Sequence, residues 1–420
     1  MVVFYYSRVY FFNIAGKYIM RLVFHCIMPE LSVQNLQKKF GNKVTALDGV
    51  SLDVESGEFF VLLGPSGSGK TTLIRCIAGL EMVDSGTITI GNRVVTDFPP
   101  GERNVAMVFQ NYALYPFLTV YENLAFPLKA RGRLAKSLRE KSLDGSASKL
   151  GSVLGFGPVN RQTLKKDIED RVHRVAKMLQ IDELLDRKPG EISGGQRQRV
   201  ALGRALIRDA SVYLMDEPLS NLDAKLRAST RIELKHLQKE LGITVVYVTH
   251  DQVEAMTMGD RIGVINGGKL IQIGKPHDVY NLPEDLFVAS FLGDPPINLI
   301  EAQVSSDDDS SIEFGGYRLS LPGDPKLSAF RGKILKLGVR PEDVTLSSEG
   351  AKATVQLIRS IGRTNYVSMM LTETQEAVTK VTTEAVNLKD GQTVNVLPNT
   401  VTLDIFESDT QKLVWSSKKK

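Results

Sequence analysis

The sequence predicts an α/β domain built on a parallel sheet, followed by an all-β domain. As far as Thr249, short apolar runs typical of buried parallel strands alternate with amphipathic helical stretches. One of these runs, residues 59–63, passes through a glycine-rich loop directly into a helix. After Pro295-Pro296 short strands recur between turns rich in Gly, Pro, Asp and Asn, which favours a small barrel or sandwich. These strands are predicted at 299–304, 311–314, 317–321, 334–339, 352–358, 365–371, 376–381, 393–397 and 401–406.

The glycine-rich loop has the pattern and the context of a phosphate-binding loop. The strand at 59–63 is followed by Gly64-x4-Gly69-Lys70-Thr71 and then by apolar residues at helical spacing. Glycines let successive backbone N–H groups point at phosphate oxygens, and the helix N-terminus adds partial positive charge. Lys70 would reach the β- and γ-phosphates of ATP, and the Thr71 hydroxyl would bind Mg²⁺. The candidate nucleotide-binding residues are Gly64, Pro65, Ser66, Gly67, Ser68, Gly69, Lys70, Thr71 and Thr72. The alternative is a glycine-rich turn before a core helix.

Length, charge and cysteine content restrict the class of protein. The 420 residues suggest two or three domains, and the net charge of +4 is interspersed, which does not favour a nucleic-acid-binding surface. Cys26 and Cys76 provide no disulfide framework, which fits a reducing cytoplasm. No apolar run reaches the roughly 18 residues that a membrane-spanning helix needs, so we expect no membrane-spanning helix.

Residues 1–27 do not continue the pattern of the following domain, and three interpretations stay open. One is a start codon assigned too early, with Met28 the true start; we favour it because the folded pattern begins at Leu31. Another is a leader, although no small-residue cleavage site follows a clean apolar core. The third is a segment lying on a membrane surface. The N-terminal extension is accordingly placed at residues 1–29.

Two carboxylates follow a second buried strand. The run at 212–215 is apolar, and Asp216 and Glu217 come directly after it. A carboxylate held at a rigid strand end suits Mg²⁺, the role expected of Asp216. Glu217 is one residue further on, where its carboxylate can polarise a water that attacks the γ-phosphate. An acidic strand end before a turn explains either residue alone, but explains the pair less well.

The stretch Ser193-Gly194-Gly195-Gln196 predicts a second anion-binding helix end. Ser193-x-x-Gln196 is a capping box, and the two glycines allow close approach of a backbone. One chain thus has two phosphate-binding helix ends. Two chains placed head to tail can hold ATP between the loop of one and the Ser-Gly-Gly-Gln stretch of the other.

These motifs resemble those of the ATP-binding-cassette (ABC) ATPases over nearly all of residues 31–290. The resemblance implies a P-loop NTPase fold, with a RecA-like parallel-sheet core and a helical subdomain. It also implies four further site residues. Gln110 stands where the family's glutamine senses Mg²⁺ and the membrane partner, and Asp223 ends a loop that contacts the opposite subunit. His250 resembles the histidine that bonds the γ-phosphate, and Phe40 the aromatic residue that stacks on adenine. Without the resemblance, Phe40 would be assigned to the core and His250 to a structural role.

The chain resembles the carbohydrate-importer branch of the ABC ATPases, in particular its maltose-type and glycerol-phosphate-type members, in residues 101–129, 215–227 and 249–298. LGVRPEDV at 337–344 resembles the C-terminal OB-like barrel domain of that branch. The N-terminal extension has no counterpart there. The predicted domains are an ATPase domain at 30–264, with a helical subdomain at about 111–192 and an exposed loop insertion at about 135–162, a connection at 265–294 and an OB-like domain at 295–415.

The function implied is the ATP-hydrolysing, energy-coupling subunit of an importer for sugars or related carbohydrates. Import of a polyamine, sulfate, molybdate or ferric ion is the alternative within the family. An alternative other than solute import is a soluble cassette ATPase that acts on ribosomes or DNA, although such proteins usually carry two cassettes or a long coiled coil. A third alternative is a sensor whose C-terminal barrel binds a regulator.

The expected cofactors are ATP and Mg²⁺, and the expected location is the cytoplasmic face of the membrane. The expected partners are a second copy or a closely related ATPase subunit, two transmembrane permease subunits and, indirectly, an extracellular solute-binding protein, with no nucleic acid. Residues 112–116 would form the groove that takes a permease helix.

Overall fold

The computed structural model describes residues 8–14, 17–23, 30–41, 44–141, 161–323, 325 and 327–418. The chain divides into two units. One consists of residues 1–250, 258–260 and 266–269, and the other of residues 251–257, 261–265 and 270–420. Most of the insertion predicted at 135–162 lies outside the described residues, as do parts of the N-terminal extension.

The helices and strands of the first unit are, in chain order, β1 (Arg8–Ile14), β2 (Lys17–Val23), β3 (Leu31–Phe40), β4 (Val44–Val54), β5 (Phe59–Leu63), α1 (Lys70–Ala78), β6 (Ser85–Ile90), β7 (Arg93–Val94), β8 (Val105–Val108), α2 (Val120–Lys141), α3 (Arg161–Met178), α4 (Gly194–Leu206), β9 (Val212–Asp216), α5 (Ala224–Leu241) and β10 (Thr244–Thr249). Short 3-10 helices lie at Pro100–Glu102, Asp182–Leu184 and Pro189–Glu191.

The elements mostly within the second unit are α6 (Gln252–Met258), β11 (Arg261–Asn266), β12 (Lys269–Gly274), α7 (Pro276–Asn281), α8 (Leu286–Phe291), β13 (Asn298–Val304), β14 (Ser311–Phe314), β15 (Tyr317–Ser320), β16 (Leu335–Val339), β17 (Val344–Ser347), β18 (Ala351–Ile361), β19 (Thr364–Leu371), β20 (Ala377–Thr382), β21 (Thr393–Pro398), β22 (Asp404–Glu407) and β23 (Leu413–Ser416). Short 3-10 helices lie at Ser328–Phe330 and Pro341–Asp343.

Parallel strands carry the predicted sheet of the first unit. Strands β5, β10, β9 and β8 lie side by side in that order, and the three pairs are parallel. Every residue of β5, β9 and β10 is buried, as their apolar runs predict for strands covered on both faces. The parallel α/β fold predicted from the sequence is confirmed. The carboxyl ends of these strands meet at one edge, and the polar residues described below follow them.

Antiparallel strands complete the first unit. Strands β4, β3, β6 and β7 form a second sheet in that order. Strands β1 and β2 pair with each other from Arg8 and Val23 to Ile14 and Lys17. The sequence predicted no strands within residues 1–27.

Helices α2, α3 and α4 pack around a common apolar cluster. It includes Leu124 of α2, Val172 of α3 and Val200 of α4, each fully buried. This region was predicted to be mostly helical. The helix that begins at the Ser-Gly-Gly-Gln stretch is therefore anchored by apolar contacts of its second half.

The second unit carries two antiparallel sheets, one in the order β15-β14-β13-β16-β22-β23 and the other β17-β21-β18-β19-β20. Their inward side chains share one apolar core, which includes Ile300, Leu337 and Met369. The predicted all-β C-terminal fold is confirmed. Strands β17 and β23 were missed, and the strand predicted at 401–406 is found at Asp404–Glu407.

Arg103 holds the C-terminal end of α1. Its side chain is 1% exposed, and its guanidinium donates hydrogen bonds to the carbonyls of Cys76 (2.7 Å) and Ile77 (3.1 Å) in the last turn of that helix. It also donates to the carbonyls of Thr96 (2.6 Å) and Phe98 (2.7 Å). The last carbonyls of a helix lack intrahelical partners, and this arginine supplies donors to two of them. The Cys76 carbonyl also accepts a hydrogen bond from the Gly79 N–H at 3.1 Å.

We expect Arg103→Lys to lower the free energy of unfolding of the first unit by about 2–4 kcal/mol, because an ammonium group cannot reach all four carbonyls. Urea unfolding of the variant beside the unsubstituted chain measures the loss. Arg93→Lys is the control, since Arg93 is exposed and its guanidinium lies over the Phe98 ring, a contact that a lysine retains. Equal midpoints for Arg103→Lys and Arg93→Lys would contradict this account.

Candidate functional site

The phosphate-binding loop closes around its own lysine. Lys70 is the first residue of α1 and is 4% exposed. Its Nζ donates to the carbonyls of Gly64 and Pro65, both at 2.8 Å, and lies 3.5 Å from Ser68 Oγ. Burial lowers the pKa of Lys70, while the charges of Glu217 and Asp216 act in the opposite direction. The loop therefore places a buried cation at the start of a helix.

The backbone of the loop requires glycine. Gly67 and Gly69 have φ values of 79° and 105°, in the left-handed region. A Cβ added to Gly69 would lie 2.4 Å from the Ala46 carbonyl oxygen, so no side chain fits there. The turn presents Lys70, Thr71 and Thr72 as the first turn of α1, whose N–H groups have no intrahelical partners. Ser66 belongs to the exposed side of the same loop.

Thr71 and Asp216 meet at the edge of the parallel sheet. Thr71 Oγ1 donates to Asp216 Oδ1 at 3.1 Å, and Asp216 is 5% exposed. Burial raises the pKa of Asp216, and the hydrogen bond from Thr71 partly opposes this. The structure thus brings together two oxygen-bearing side chains that lie 145 residues apart in the sequence.

Glu217 lies between Gln110 and His250. Its Oε2 accepts a hydrogen bond from Gln110 Nε2 at 3.1 Å, and its Oε1 lies 3.1 Å from His250 Nδ1. The Glu217 side chain is 17% exposed and that of His250 is 54% exposed. The three residues follow β9, β8 and β10, so the strand ends of the sheet assemble this cluster.

The backbone of Glu217 is in an unusual conformation. Its φ is 44°, and its N–H donates to the Val248 carbonyl at 3.0 Å. Its carbonyl accepts hydrogen bonds from the N–H (3.2 Å) and the hydroxyl (2.9 Å) of Ser220. A non-glycine residue at positive φ is uncommon and costly, and it persists where the surrounding structure holds it. The neighbouring strand and turn thus fix the direction of this carboxylate.

The loop at 220–223 contacts the same cluster. Asn221 Nδ2 donates to the Gln110 carbonyl at 2.8 Å. Asp223 caps α5, accepting a hydrogen bond from the Leu226 N–H at 3.0 Å. Asn221 belongs to the loop that Asp223 ends, and the sequence predicted no contact between it and Gln110.

The Ser-Gly-Gly-Gln stretch forms the capping box that its sequence predicts. The Ser193 N–H donates to Gln196 Oε1 at 2.8 Å, and the Gln196 N–H donates to Ser193 Oγ at 3.3 Å. A Cβ on Gly195 would lie 2.8 Å from a methyl carbon of Leu226, whereas one on Gly194 would meet only Leu222, at 3.8 Å. Within the described part of the chain, the side-chain bonds of Ser193 and Gln196 close on each other, and the structure does not join them to the phosphate-binding loop.

Phe40 lies at the end of β3 and is 43% exposed. Lys38 Nζ lies 5.1 Å from the centroid of its ring. Phe40 is therefore not a core residue, and its ring is open to stacking.

Comparison with known proteins identifies the family. The family model for the ABC transporter matches residues 47–220, and that for the MalK OB fold domain matches residues 293–344. The sn-glycerol-3-phosphate import ATP-binding protein UgpC of Brucella abortus is 41% identical over 394 residues, which cover 92% of this chain and 99% of the relative. The chain belongs to the ABC transporter ATP-binding proteins.

Two further relatives of this ABC ATP-binding protein are similar over most of their length. The trehalose/maltose import ATP-binding protein MalK of Thermococcus litoralis is 42% identical over 409 residues, covering 92% of this chain and 100% of the relative. The diacetylchitobiose uptake system ATP-binding protein MsiK of Streptomyces coelicolor is 43% identical over 392 residues, covering 88% and 95%.

The family confirms the fold, the nucleotide-binding activity and the enzyme class predicted from the sequence. This ABC protein is an ATPase with a cassette fold and a C-terminal domain of the MalK OB type. Among the helices that the structure describes, none has the length and apolar character needed to cross a membrane.

Proposed function

We propose that this ABC ATPase drives import of a sugar or a related carbohydrate. The observation that supports the ATPase site best is the position of Glu217, whose two carboxylate oxygens lie 3.1 Å from Gln110 Nε2 and 3.1 Å from His250 Nδ1. The solute class is supported by the names of the three relatives, which refer to glycerol 3-phosphate, to trehalose and maltose, and to diacetylchitobiose. Import of a polyamine, sulfate, molybdate or ferric ion is the less well supported alternative.

The triphosphate of ATP would bind the loop of residues 64–72. Lys70 would hold the β- and γ-phosphates, because it is the cation that the loop already encloses. The first N–H groups of α1 would donate to phosphate oxygens. The exposed ring of Phe40 would stack on adenine.

Thr71, Gln110 and Asp216 would hold Mg²⁺. A hydroxyl, an amide and a carboxylate supply the oxygen ligands that this ion prefers, and Mg²⁺ needs few protein ligands when phosphates and water complete its shell. The 3.1 Å hydrogen bond between Thr71 and Asp216 shows two of these groups already adjacent. When bound, Mg²⁺ neutralises charge on the phosphate oxygens.

Glu217 would act as the base that orients and deprotonates the attacking water. The water oxygen bonds to the γ-phosphorus as the bond to the β-phosphate oxygen breaks, giving ADP and phosphate. Because neighbouring strands fix the Glu217 backbone, its carboxylate is preorganised for this step. His250 would hold the γ-phosphate, since it is half-exposed beside that carboxylate.

A second copy of the chain would complete each site. Ser193, Gly194, Gly195 and Gln196 form a capped helix end suited to an anion, and Asp223 lies on the loop expected to face the other subunit. ATP would join the two chains and hydrolysis would release them. At the cytoplasmic face of the membrane, the groove of residues 112–116 in each chain would receive a helix of one of two permease subunits. An extracellular solute-binding protein would act through these permease subunits. The proposed ATPase, connecting and OB-like segments are 30–264, 265–294 and 295–415.

Lys70→Ala should raise the Kd for ATP about 30-fold or more, because it removes a buried cation from the phosphate site. Isothermal titration with a non-hydrolysable ATP analogue measures the change. Lys177→Ala, an exposed position on α3, should bind as the unsubstituted chain does. An unchanged Kd in Lys70→Ala would exclude this loop as the site.

For the solute, a strain lacking this chain should lose uptake of a labelled carbohydrate and retain uptake of polyamine and sulfate; the reverse pattern would favour the alternative.

A further inference from the structure

The loop after Gln110 turns through two consecutive left-handed residues. Tyr112 and Ala113 have φ values of 61° and 45°. Neither is a glycine, so both carry a conformational cost. The Tyr112 N–H donates to the Phe109 carbonyl at 2.9 Å, and the Ala113 N–H donates to the Asn111 carbonyl at 2.7 Å. A turn of this kind persists only where its surroundings hold it.

Arg204 holds this turn from outside. Its Nη1 donates to the Ala113 carbonyl at 2.6 Å, and its Nη2 donates to the Tyr112 carbonyl at 2.9 Å. Its guanidinium carbon also lies 5.6 Å from the centroid of the Tyr115 ring. Two donors of one planar guanidinium thus bond to the two strained peptide units, and a lysine ammonium lacks this fixed pair of donors.

Asn123 fixes the other end of the same loop. This fully buried residue accepts a hydrogen bond from the Tyr115 N–H at 2.9 Å and donates to the carbonyls of Tyr115 (3.1 Å), Leu118 (3.2 Å) and Thr119 (3.0 Å). With this end fixed, the two hydrogen bonds from Arg204 hold the carbonyls of the segment next to Gln110.

Arg204 belongs to α4, the helix that begins at the Ser-Gly-Gly-Gln stretch. Gln110 lies two residues before Tyr112, donates to Glu217 and accepts from Asn221. The single guanidinium therefore connects the helix of one proposed nucleotide-binding end to the loop that carries the glutamine of the other.

We propose that Arg204 is a positioning residue for ATP hydrolysis. By holding Tyr112 and Ala113 in the left-handed turn it sets the place of Gln110 beside Glu217, and it makes this loop move together with α4. The role rests on the proposed ATPase function of the site. It requires no contact between Arg204 and nucleotide, so the arginine affects turnover more than binding.

Arg204→Gln tests the proposal in the full chain. Amide hydrogen exchange in peptides that cover residues 109–119 should become about 10- to 100-fold faster, because two charge-assisted hydrogen bonds to the turn are lost. The kcat for ATP should fall about 10-fold or more, because Gln110 is displaced from Glu217, while KM changes little. Arg204→Lys, which keeps the charge but lacks the planar pair of donors, should give intermediate values of both.

Arg199→Gln is the matched control. Arg199 lies on the same helix and also donates to a carbonyl, that of Leu179 at 3.2 Å, and to Glu233 at 2.7 Å, away from the loop. It should leave loop exchange and kcat unchanged. Unchanged exchange at 109–119 or an unchanged kcat in Arg204→Gln would overturn the proposal, as would an equal loss of kcat in the control. If Arg204→Gln does not fold, Arg204→Lys decides by the same criteria. An unsubstituted chain without ATPase activity would instead contradict the proposed function.

Discussion

Glu217→Gln is expected to leave ATP binding intact and to lower kcat about 10²- to 10⁴-fold, the usual contribution of a positioned general base. Glutamine has the same shape, and its side-chain oxygen can still accept the hydrogen bond from Gln110. It cannot take a proton from the attacking water. The substitution therefore separates nucleotide binding from chemistry.

The ATP-bound dimer should accumulate in this variant, because closure no longer leads to hydrolysis. Single-turnover ATPase assays and size-exclusion chromatography with ATP and Mg²⁺ measure the two effects. Glu233→Gln is the control, since Glu233 is an exposed carboxylate of α5 paired with Arg199. Hydrolysis by Glu217→Gln at the rate of Glu233→Gln would show that another group is the base.

The sequence predicted the parts of the fold that depend on residues close together in the chain. The run at 59–63 and the residues from Gly64 to Thr72 form a continuous segment, so their strand, loop and helix could be assigned without other parts of the chain. The capping box of Ser193 and Gln196 spans only four residues, and the structure confirms both of its hydrogen bonds.

The parts that the sequence did not predict depend on partners distant in the chain. Arg204 binds carbonyls 91 and 92 residues away, and carbonyls have no side-chain signature by which a sequence could identify them. The left-handed conformation of Glu217 is fixed by Val248 on the adjacent strand. Arg103 looks like a surface residue in the sequence, yet it is buried because four carbonyls surround it.

Short strands at the margins of sheets were also missed. Strand β17 has four residues and follows a 3-10 helix, and β23 has four residues near the C-terminal end. Such lengths give few residues in which alternation can be recognised, although β14 and β15, which are equally short, were predicted. They are strands because their neighbours in the sheets, β21 and β22, pair with them.

Mixing two inactive variants should restore ATPase activity, if each site is built from two chains. Lys70→Ala removes the buried cation of the phosphate-binding loop, and Ser193→Arg places a bulky side chain at the capped helix end. In a mixed dimer, the loop of the Ser193→Arg chain faces the intact helix end of the Lys70→Ala chain. Random pairing at equal concentrations leaves about a quarter of the sites intact in a two-fold symmetric assembly.

The mixture should therefore recover up to about a quarter of the unsubstituted rate if the two sites of a dimer work independently. The control replaces the Ser193→Arg chain by a chain that carries both substitutions, because this mixture contains no intact loop and should stay inactive. Loss of the Ser193 cap costs about 1 kcal/mol, so circular dichroism should first show that each variant is folded. Absence of recovery in the first mixture, with subunit exchange verified by a tagged chain, would count against sites built from two chains.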